Sequence, residues 1–579
     1  MEYDLLIKRG TIYEGSGKPG YKGDVAVKND RIVAVGKNID GQARRVIDAE
    51  GLAVTPGFID SHTHYDGQLF WDPLLTCSSW HGVTTVVMGN CGVAFAPVKP
   101  EQRELFNYMF SRVEGVPEYL LKQAVPWDWE TFGEFMDAVQ RRGPSLNVAC
   151  LMGYSAIRAY VMGNDAVERK QATREEIEKM KDVVREGMRA GAFGVSASRM
   201  PVHLGANGEP MPSAVAPDEE LIEVFSTVGE FDYGFIEYVG RSFVAHKDLD
   251  KECAEDWELL KTLARKTGQP ISWPILHMYN APDNWKKFLK TADEAWDEGL
   301  QFWIQTSPWI GNAFEFTLER VTSIFDDMPH WKEVFKLPAG EREAKYRDPE
   351  VQKGLRFDVV EDTAPRFFHR RWDLVTVHET KLEKNKHLEG RTVAEIAAET
   401  GQDVFDVFMG LSLEEGMQTL FTTATVNGDP AAVLEMLKYP KGLSSLADGG
   451  AHISAIAQTS YPSYILSHWV REEGALTLEQ AVDILVTQPA EAFGLTERNG
   501  IKVGNYADIV IFDPKGIRLH PVESVNDLPG GGQRMIHRGE GIHYTIVNGQ
   551  ILMDHDRHTG SYPGLVLRAN SAGEALRAS

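Results

Sequence analysis

Residues 57–66 read Gly-Phe-Ile-Asp-Ser-His-Thr-His-Tyr-Asp, an apolar run that leads into two histidines. Side chains alternate along a strand, so His62 and His64 are expected to point to the same face at its carboxyl end. In parallel α/β folds active sites are built at that end, and two convergent neutral imidazoles are good zinc ligands. The alternative is a pair of core or surface histidines that bind no metal. The flanking residues Pro56 to Asp60 and the trailing Asp66 favour the metal interpretation.

A helix–glycine–strand unit recurs along the middle of the chain. A capping box that begins at Thr173 and an apolar stripe up to Met188 predict a helix, which Gly191 ends before a buried strand at residues 193–196. Two further predicted strands follow units of the same kind, at residues 270–273 and 300–304. Several such units predict an α/β protein with a TIM-like (β/α)8 barrel, although an open doubly wound sheet produces the same pattern.

Both ends of the chain consist of short strands and turns. Near the start these are residues 24–27 and 31–35, and near the end they are residues 507–512 and 544–547. Asn548-Gly549 between two apolar runs is a strong hairpin signal. We therefore expect the two termini to pair into one small β domain.

These patterns divide the chain into three parts. Residues 1–55 are predicted to form the first part of the β domain, residues 56–495 the barrel, and residues 496–579 the rest of the β domain and a tail. Residues 308–399, approximately, do not fit the repeating unit and are rich in Trp, Arg, Lys, Glu and Pro. We interpret them as an insertion on the barrel, either a lid or a surface subdomain with no catalytic part.

Composition excludes several classes of function. The chain has 579 residues and a formal net charge of −24 at pH 7, which leaves no basic surface for nucleic acid. No apolar run approaches the roughly 20 residues of a membrane span, and the N-terminus has no signal-peptide pattern. The four cysteines make no dense disulfide framework. We expect a soluble cytoplasmic protein with a small-molecule substrate and neither nucleic-acid nor membrane partners; homo-oligomerisation is left open.

Six stretches carry a family resemblance. They are residues 57–66, 81–92, 446–452, 476–482, 489–495 and 504–510. In them the chain resembles the amidohydrolase superfamily, and residues 81–92 resemble in particular its D-aminoacylase branch, the N-acyl-D-amino-acid deacylases. The resemblance implies a metal-dependent amidohydrolase that acts on carbon–nitrogen bonds other than peptide bonds. It also implies a TIM-like barrel with a β-sandwich domain built from both termini.

The resemblance further implies a set of metal ligands. Cys91 lies in a Gly-Asn-Cys-Gly turn, and the matching cysteine of the branch binds zinc; a small buried thiol is the alternative. Asp448 opens Asp-Gly-Gly-Ala-His, and the matching aspartate of the superfamily binds metal and takes the proton of the attacking water. An ordinary Asp-Gly turn is the alternative. With His62 and His64, these residues would hold one or two divalent metal ions, of which zinc is the expected one.

Two positions depart from the D-aminoacylase pattern, which has further histidine ligands on the fifth and sixth strands. Here Glu237 or a neighbour stands at the first position and Trp273 at the second. Glu237 could bind a metal, and His277 could reach in from further along its strand, while a buried or surface role is open for each. No lysine is placed to bridge two metals as a carbamate. The number of metal ions is therefore left open.

Two side chains are candidates for contacts with a substrate. Arg199 follows a predicted barrel strand, with His203 close behind it, and a planar guanidinium suits a substrate carboxylate. A structural salt bridge is the alternative for Arg199. His452 follows Asp448 closely and would shuttle a proton, contact the substrate or only pack.

These features predict metal-assisted hydrolysis of a carboxamide bond, in an N-acyl amino acid or a similar substrate. One alternative on the same barrel is a hydrolase of cyclic amides, lactones or esters. Another is a non-catalytic binding protein on a barrel that has lost its site, an alternative suggested by the missing fifth- and sixth-strand histidines.

Overall fold

The centre of the molecule is a sheet of eight parallel strands. The computed structural model describes residues 2–169, 171–204, 209–243, 249–311, 313–319, 323–364 and 366–569. Strands one to eight are Phe58–Thr63, Val83–Met88, Asn147–Gly153, Gly194–Ser198, Ile236–Val239, Ile271–Pro274, Phe302–Thr306 and Gly442–Ser444. Each strand pairs with the next one along the chain, which is the order of a (β/α)8 barrel and not of a doubly wound sheet. The predicted fold class is confirmed.

A contact between the first and the last strand nearly closes the barrel. Thr63 forms a parallel bridge with Gly449, and the backbone N–H of His64 donates a hydrogen bond to the Gly449 carbonyl at 2.7 Å. The residues that follow strand one therefore lie beside those that follow strand eight.

Helices cover the outside of the barrel. In the helix Arg174–Ala190, the Thr173 hydroxyl accepts the N–H of Glu176 and the buried face carries Met180 and Val184, as the periodicity predicts. The α-helices outside the insertion are Tyr65–Gln68, Arg103–Glu114, Glu118–Ala124, Phe132–Arg142, Tyr154–Met162, Asp165–Glu168, Arg174–Ala190, Pro212–Val215, Asp218–Phe225, Leu249–Thr267, Asn284–Asp297, Pro430–Leu437, Tyr461–Tyr464, Leu478–Val482 and Gln488–Ala492. The π-helices Ile465–Glu472 and Asp483–Thr487 extend two of these.

An inserted subdomain lies between strands seven and eight, and its apolar core extends to barrel side chains such as Val239 and Leu276. Its antiparallel sheet has Leu420–Ala424 in the middle, flanked by Ala313–Phe316 and Val375–Glu379. Aromatic rings fill its core, and the ring centroids of Phe408 and Phe421 are 4.9 Å apart. Its α-helices are Pro329–Phe335, Ala339–Tyr346, Pro349–Arg356, Val393–Thr400 and Val404–Glu414. The middle strand of this sheet lies downstream of residue 399, which the sequence predicted as the approximate end of the insertion.

The two ends of the chain build one nine-stranded sheet. Its strands are Glu2–Ile12, Tyr21–Lys28, Arg31–Gly36, Gln42–Asp48, Ala53–Pro56, Ile509–Phe512, Ile542–Val547, Gln550–Asp554 and Arg557–His558. Ala53–Pro56 pairs with Ile509–Phe512 and joins the two ends. Asn548 and Gly549 have φ values of 47° and 77°, as a type I′ hairpin turn requires. The predicted β domain built from both termini is confirmed.

Two expectations about the whole chain concern membranes and cysteines. Across the described ranges we find no helix that combines the length and the apolar character of a membrane span. Cys77, Cys91, Cys150 and Cys253 are free thiols.

Gly194, at the start of strand four, is a position where only glycine fits. Its φ is +149°, and a β-carbon there would lie 1.9 Å from the Phe235 carbonyl oxygen. We expect Gly194→Ala to destabilise the fold by more than about 2 kcal/mol and to lower the unfolding temperature measured by intrinsic fluorescence.

Gly410→Ala is the matched control. Gly410 lies inside the helix Val404–Glu414 with open space where a β-carbon would stand, so alanine there is expected to be neutral or stabilising. Equal unfolding temperatures for the two variants would contradict this account of strand four.

Candidate metal centre

His62 and His64 lie at the carboxyl end of strand one, on the same face of the strand. Each is only 1% exposed, and the ring centroids are 5.3 Å apart. The Nδ1 of His62 lies 2.6 Å from Oε1 of Gln305 on strand seven, and the Gln305 amide nitrogen donates to the Ser272 hydroxyl at 2.8 Å. Because Nδ1–H of His62 donates this hydrogen bond to the Gln305 oxygen, Nε2 of His62 is left to bind a metal.

Cys91 lies in the turn that follows strand two. Its Sγ is 3.4 Å from Nε2 of His62, and the donor atoms of His62, His64 and Cys91 lie within 4.8 Å of one another. The glycines of this turn allow the approach, because a β-carbon on Gly89 would lie 2.2 Å from the Leu151 carbonyl oxygen. The Gly-Asn-Cys-Gly sequence thus brings a thiol to the histidine pair.

Asp448 reaches the same point from the loop after strand eight. Its Oδ1 lies 3.4 Å from Nε2 of His62 and 3.7 Å from Nε2 of His64. A β-carbon on Gly450 would lie 2.5 Å from the His64 carbonyl oxygen, so the Asp-Gly-Gly sequence is what lets this loop pack against strand one. The Asp-Gly turn therefore directs its carboxylate toward the histidines.

This set of donors fits a zinc ion. Ligands of one tetrahedral zinc lie about 3.3–3.8 Å apart, because metal–ligand distances are about 2.0–2.3 Å. Three separations fall in that range: His62 Nε2 to Cys91 Sγ and to Asp448 Oδ1, both 3.4 Å, and His64 Nε2 to Asp448 Oδ1, 3.7 Å. The donor atoms that all lie within 4.8 Å of one another are those of His62, His64 and Cys91, and Asp448 approaches this group from the side of the two imidazoles. Two imidazoles, one thiol and one carboxylate are also the donor types that zinc prefers.

Electrostatics at the site favour a bound cation. Burial lowers the pKa of His62 and, more strongly, that of His64, so both rings are neutral near pH 7 and able to bind metal. Burial, together with nearby carboxylates, raises the pKa of the Cys91 thiol well above its usual range. Burial also raises the pKa of Glu237 to about 8, and the charge of Asp448 adds to this. A divalent cation would stabilise the ionised forms of both groups.

Glu237 on strand five lies directly beside Cys91. Its side chain is buried, and its Oε2 accepts the backbone N–H of Cys91 at 2.9 Å. Its Oε1 has no hydrogen-bond partner in the described part of the chain. A buried carboxylate oxygen without a partner is unfavourable unless a proton or a cation serves it. Glu237 therefore remains a candidate metal ligand.

Strand six and the residues after it offer no such donor. Ser272 is bonded to the strand-seven glutamine, and Trp273 packs against Trp257, with ring centroids 4.8 Å apart. His277 lies beyond the strand, where its backbone N–H donates to Asn427 at 3.1 Å. Its donor atoms, like those of Asp448 and Glu237, are not part of the group of His62, His64 and Cys91 found among the described residues.

A cavity of about 790 Å³, its open mouth included, lies beside the site. His62, Cys91 and Asp448 form one part of its wall, and the inserted subdomain contributes Phe314 and Phe367. Much of the remaining wall is apolar and includes Val113, Met200, Val239, Leu276 and Ile456. The site thus combines convergent metal donors with a largely apolar space.

Comparison with known proteins agrees with this geometry. The amidohydrolase family model matches residues 45–553. The chain belongs to the amidohydrolase family. The family predicted from the six stretches is confirmed.

Three relatives of this amidohydrolase match it along nearly its whole length. The D-aminoacylase of Alcaligenes xylosoxydans xylosoxydans is 27% identical over 581 residues, which cover 98% of each chain. A solved D-aminoacylase with a binuclear metal center has 26% identity and a TM-score of 0.67, covering 98% of this chain and 100% of its own. An N-acyl-D-glutamate deacylase from Bordetella bronchiseptica, complexed with zinc and a phosphonate inhibitor, has 23% identity, a TM-score of 0.67 and the same coverage, and it shows the shared fold.

Of the two residues predicted to contact the substrate, His452 lines the cavity and Arg199 does not. His452 lines the cavity, with its ring centroid 6.0 Å from that of Phe314. Arg199 instead forms an ion pair with Asp218 at 3.0 Å and is not among the described side chains that line the cavity. That ion pair is the structural role that the sequence left open for Arg199, and substrate binding by Arg199 stays a prediction.

Three residues near the amidohydrolase site had no role assigned from the sequence. His203 lines the cavity, and burial lowers its pKa to about 3. Gln305 orients His62, and Glu114 lies 3.4 Å from Nδ1 of His64. A polar residue directly after a predicted buried strand was a usable signal for Gln305. Glu114 ends a helix that carries no motif, so nothing in the sequence pointed to it.

Removing either histidine is expected to remove the metal. His62→Ala and His64→Ala each delete one donor atom, so the zinc dissociation constant should rise by more than about 100-fold while the fold survives. Zinc content after dialysis, with circular dichroism as a check on the fold, measures this.

His555→Ala is the control, because His555 is exposed on the terminal sheet. It should keep wild-type zinc content. Full zinc content in both site variants would place the metal elsewhere.

Proposed function

We propose that this amidohydrolase uses a bound zinc ion to cleave a carboxamide bond, with N-acyl amino acids as the leading class of substrate. The convergence of His62, His64 and Cys91, whose donor atoms lie within 4.8 Å of one another, carries the proposal, and Oδ1 of Asp448 lies 3.4 Å and 3.7 Å from the two imidazoles. Full-length relatives named D-aminoacylase and N-acyl-D-aspartate deacylase support the amide bond as the target.

The chain's own residues account for the movement of the proton. A zinc ion here would acidify water and polarise the carbonyl group of the substrate. The side chain of Asp448 is 29% exposed and lines the cavity, so it can take the proton of the attacking water. The protonated Asp448 then delivers that proton to the leaving nitrogen. His452 lines the same cavity and is placed to contact the substrate or to carry a proton outward.

The cavity also constrains the substrate. Phe314 and Phe367 face a wall that is largely apolar, which suits an uncharged hydrocarbon portion next to the bond that is cleaved. A largely apolar wall also strengthens the interaction of Asp448 with charge that develops in the transition state.

A substrate panel tests the proposal against its alternatives. Purified protein would be assayed with N-acyl-D- and N-acyl-L-amino acids, cyclic imides and lactones, before chelation, after chelation and after zinc is restored. We expect hydrolysis of N-acyl amino acids that is lost with the metal and recovered with it. Preference for cyclic imides or lactones would favour the related hydrolase, and absence of both metal and activity would favour a binding protein.

Asp448→Asn separates the role of Asp448 as a base from its role as a ligand. Asparagine keeps the size and one oxygen donor but cannot accept the proton, so zinc should be largely retained while kcat falls by about 10²-fold or more. KM should change less, because the lost interaction belongs to the transition state.

Asp182→Asn is the matched control, since Asp182 is exposed on the helix Arg174–Ala190. Its kcat should equal that of the wild type. A near wild-type kcat in Asp448→Asn would reduce Asp448 to a turn residue and direct the search for the base to His452 or Glu237.

A further inference from the structure

The helix Arg103–Glu114 forms one side of the metal centre. It lies between barrel strands two and three and ends at Gly115, whose φ is 62°. Val113 lines the cavity, and Arg112 forms an ion pair with the buried Asp326 of the inserted subdomain at 2.5 Å. The last turn of this helix is thus tied to the subdomain and faces the site.

Glu114 brings a buried carboxylate to the far side of His64. It is 3% exposed, and its Oε1 lies 3.4 Å from Nδ1 of His64. Neither of these two atoms has a hydrogen-bond partner in the part of the chain that the structure describes. On the opposite edge of the ring, Nε2 of His64 lies 3.7 Å from Asp448. The imidazole therefore has the metal position on one side and Glu114 on the other.

This arrangement has a recognised physical use. A histidine that binds a metal through one ring nitrogen donates the proton of the other, commonly to a carboxylate, and this fixes both its tautomer and its orientation. A carboxylate that served only to fill space would be unfavourable here, since an apolar side chain of similar size avoids the desolvation of a buried charge. The buried carboxyl group of Glu114 therefore calls for a partner, and Nδ1 of His64 faces it at 3.4 Å.

The same turn also holds His452. The backbone carbonyl of Glu114 accepts the N–H of His452, and a β-carbon on Gly115 would lie 3.1 Å from Nδ1 of His452. His452 has a φ of 47°, a conformation that a non-glycine residue keeps only when its surroundings hold it. One helix end thus contacts a candidate metal ligand through its side chain and a cavity residue through its backbone.

We propose that Glu114 is a positioning residue: its carboxylate accepts a hydrogen bond from Nδ1–H of His64 and so holds Nε2 toward the metal. The inference rests on the proposed function, because it presupposes that zinc binds at His64. Substitution of the Glu114 side chain tests its contact with His64 alone, because the hydrogen bond from the N–H of His452 goes to the backbone carbonyl of Glu114 and is kept in every variant.

A graded series of variants tests this role. Glu114→Gln keeps an oxygen that accepts a hydrogen bond but loses the charge, whereas Glu114→Met keeps the approximate size and loses both. The zinc dissociation constant, measured by competition with a chelator, should rise slightly in Glu114→Gln and by about 10- to 100-fold in Glu114→Met. Glu104→Gln, on the exposed face of the same helix, is the control and should match the wild type.

Two further readouts distinguish positioning from a general structural role. The metal-free Glu114→Met protein should unfold at the same or a higher temperature than the metal-free wild type, because it has lost a buried unpaired carboxylate. With Co²⁺ in place of zinc, its visible spectrum should change because His64 is no longer held. Weaker metal binding without loss of stability is not expected of a residue that only supports the fold.

The outcomes separate this inference from the proposed function. If the wild type binds one equivalent of zinc but Glu114→Met binds it as tightly as Glu104→Gln, the positioning role is wrong and the proposed function stands. If Gln and Met are equally damaging and both change the Co²⁺ spectrum, Glu114 is itself a ligand and the positioning role is again wrong. If the wild type binds no zinc, both proposals fail. Should Glu114→Met not fold, Glu114→Ala takes its place, because it also removes both the charge and the acceptor, and a zinc affinity equal to that of Glu104→Gln would overturn the inference.

Discussion

The hydrogen bond from the backbone N–H of His64 to the carbonyl of Gly449 is the contact on which the rest of the site depends. It joins the first strand of the barrel to the last, so a histidine pair from one end of the barrel sequence meets an aspartate from the other. In an open sheet these two strands would be opposite edges, and their side chains could not converge. Barrel closure and assembly of the candidate metal ligands are therefore the same event in this molecule.

At the carboxyl end of the barrel strands lie several features that would each destabilise the fold on their own. Cys91, Leu446, Asp448 and His452 have φ values of 55°, 40°, 47° and 47°, and such positions cost about 1–3 kcal/mol each. Burial raises the pKa of Glu114 well above its usual range, as it does for Glu237. The nearly closed barrel beneath supplies the stability that tolerates both the strained turns and the crowded carboxyl groups. A bound cation would directly stabilise the ionised forms of the crowded carboxyl groups.

Local patterns in the sequence were enough to predict the barrel and, within the site, the pair His62 and His64. The alternation of His62 and His64 and the recurring helix–glycine–strand unit depend on neighbouring residues, so they can be read without the fold. Gln305 and Glu114 come to the histidines only through tertiary packing, and no spacing rule connects them. For Arg199 the sequence left a substrate contact and a structural salt bridge open, and only the fold brings Asp218 beside it. Partners brought from distant helices decide such assignments.

The sheet shared by the two ends of the chain has a consequence for protein synthesis. Ala53–Pro56 leads into the barrel, yet its neighbour Ile509–Phe512 leaves the ribosome only after the whole barrel sequence has been made. Until then that edge of Ala53–Pro56 is open to pairing with other nascent chains, a recognised route to aggregation. A message truncated shortly before this segment would encode every barrel strand and still yield a protein with an unprotected edge. Protection of this edge thus depends on a segment that follows every barrel strand in the sequence.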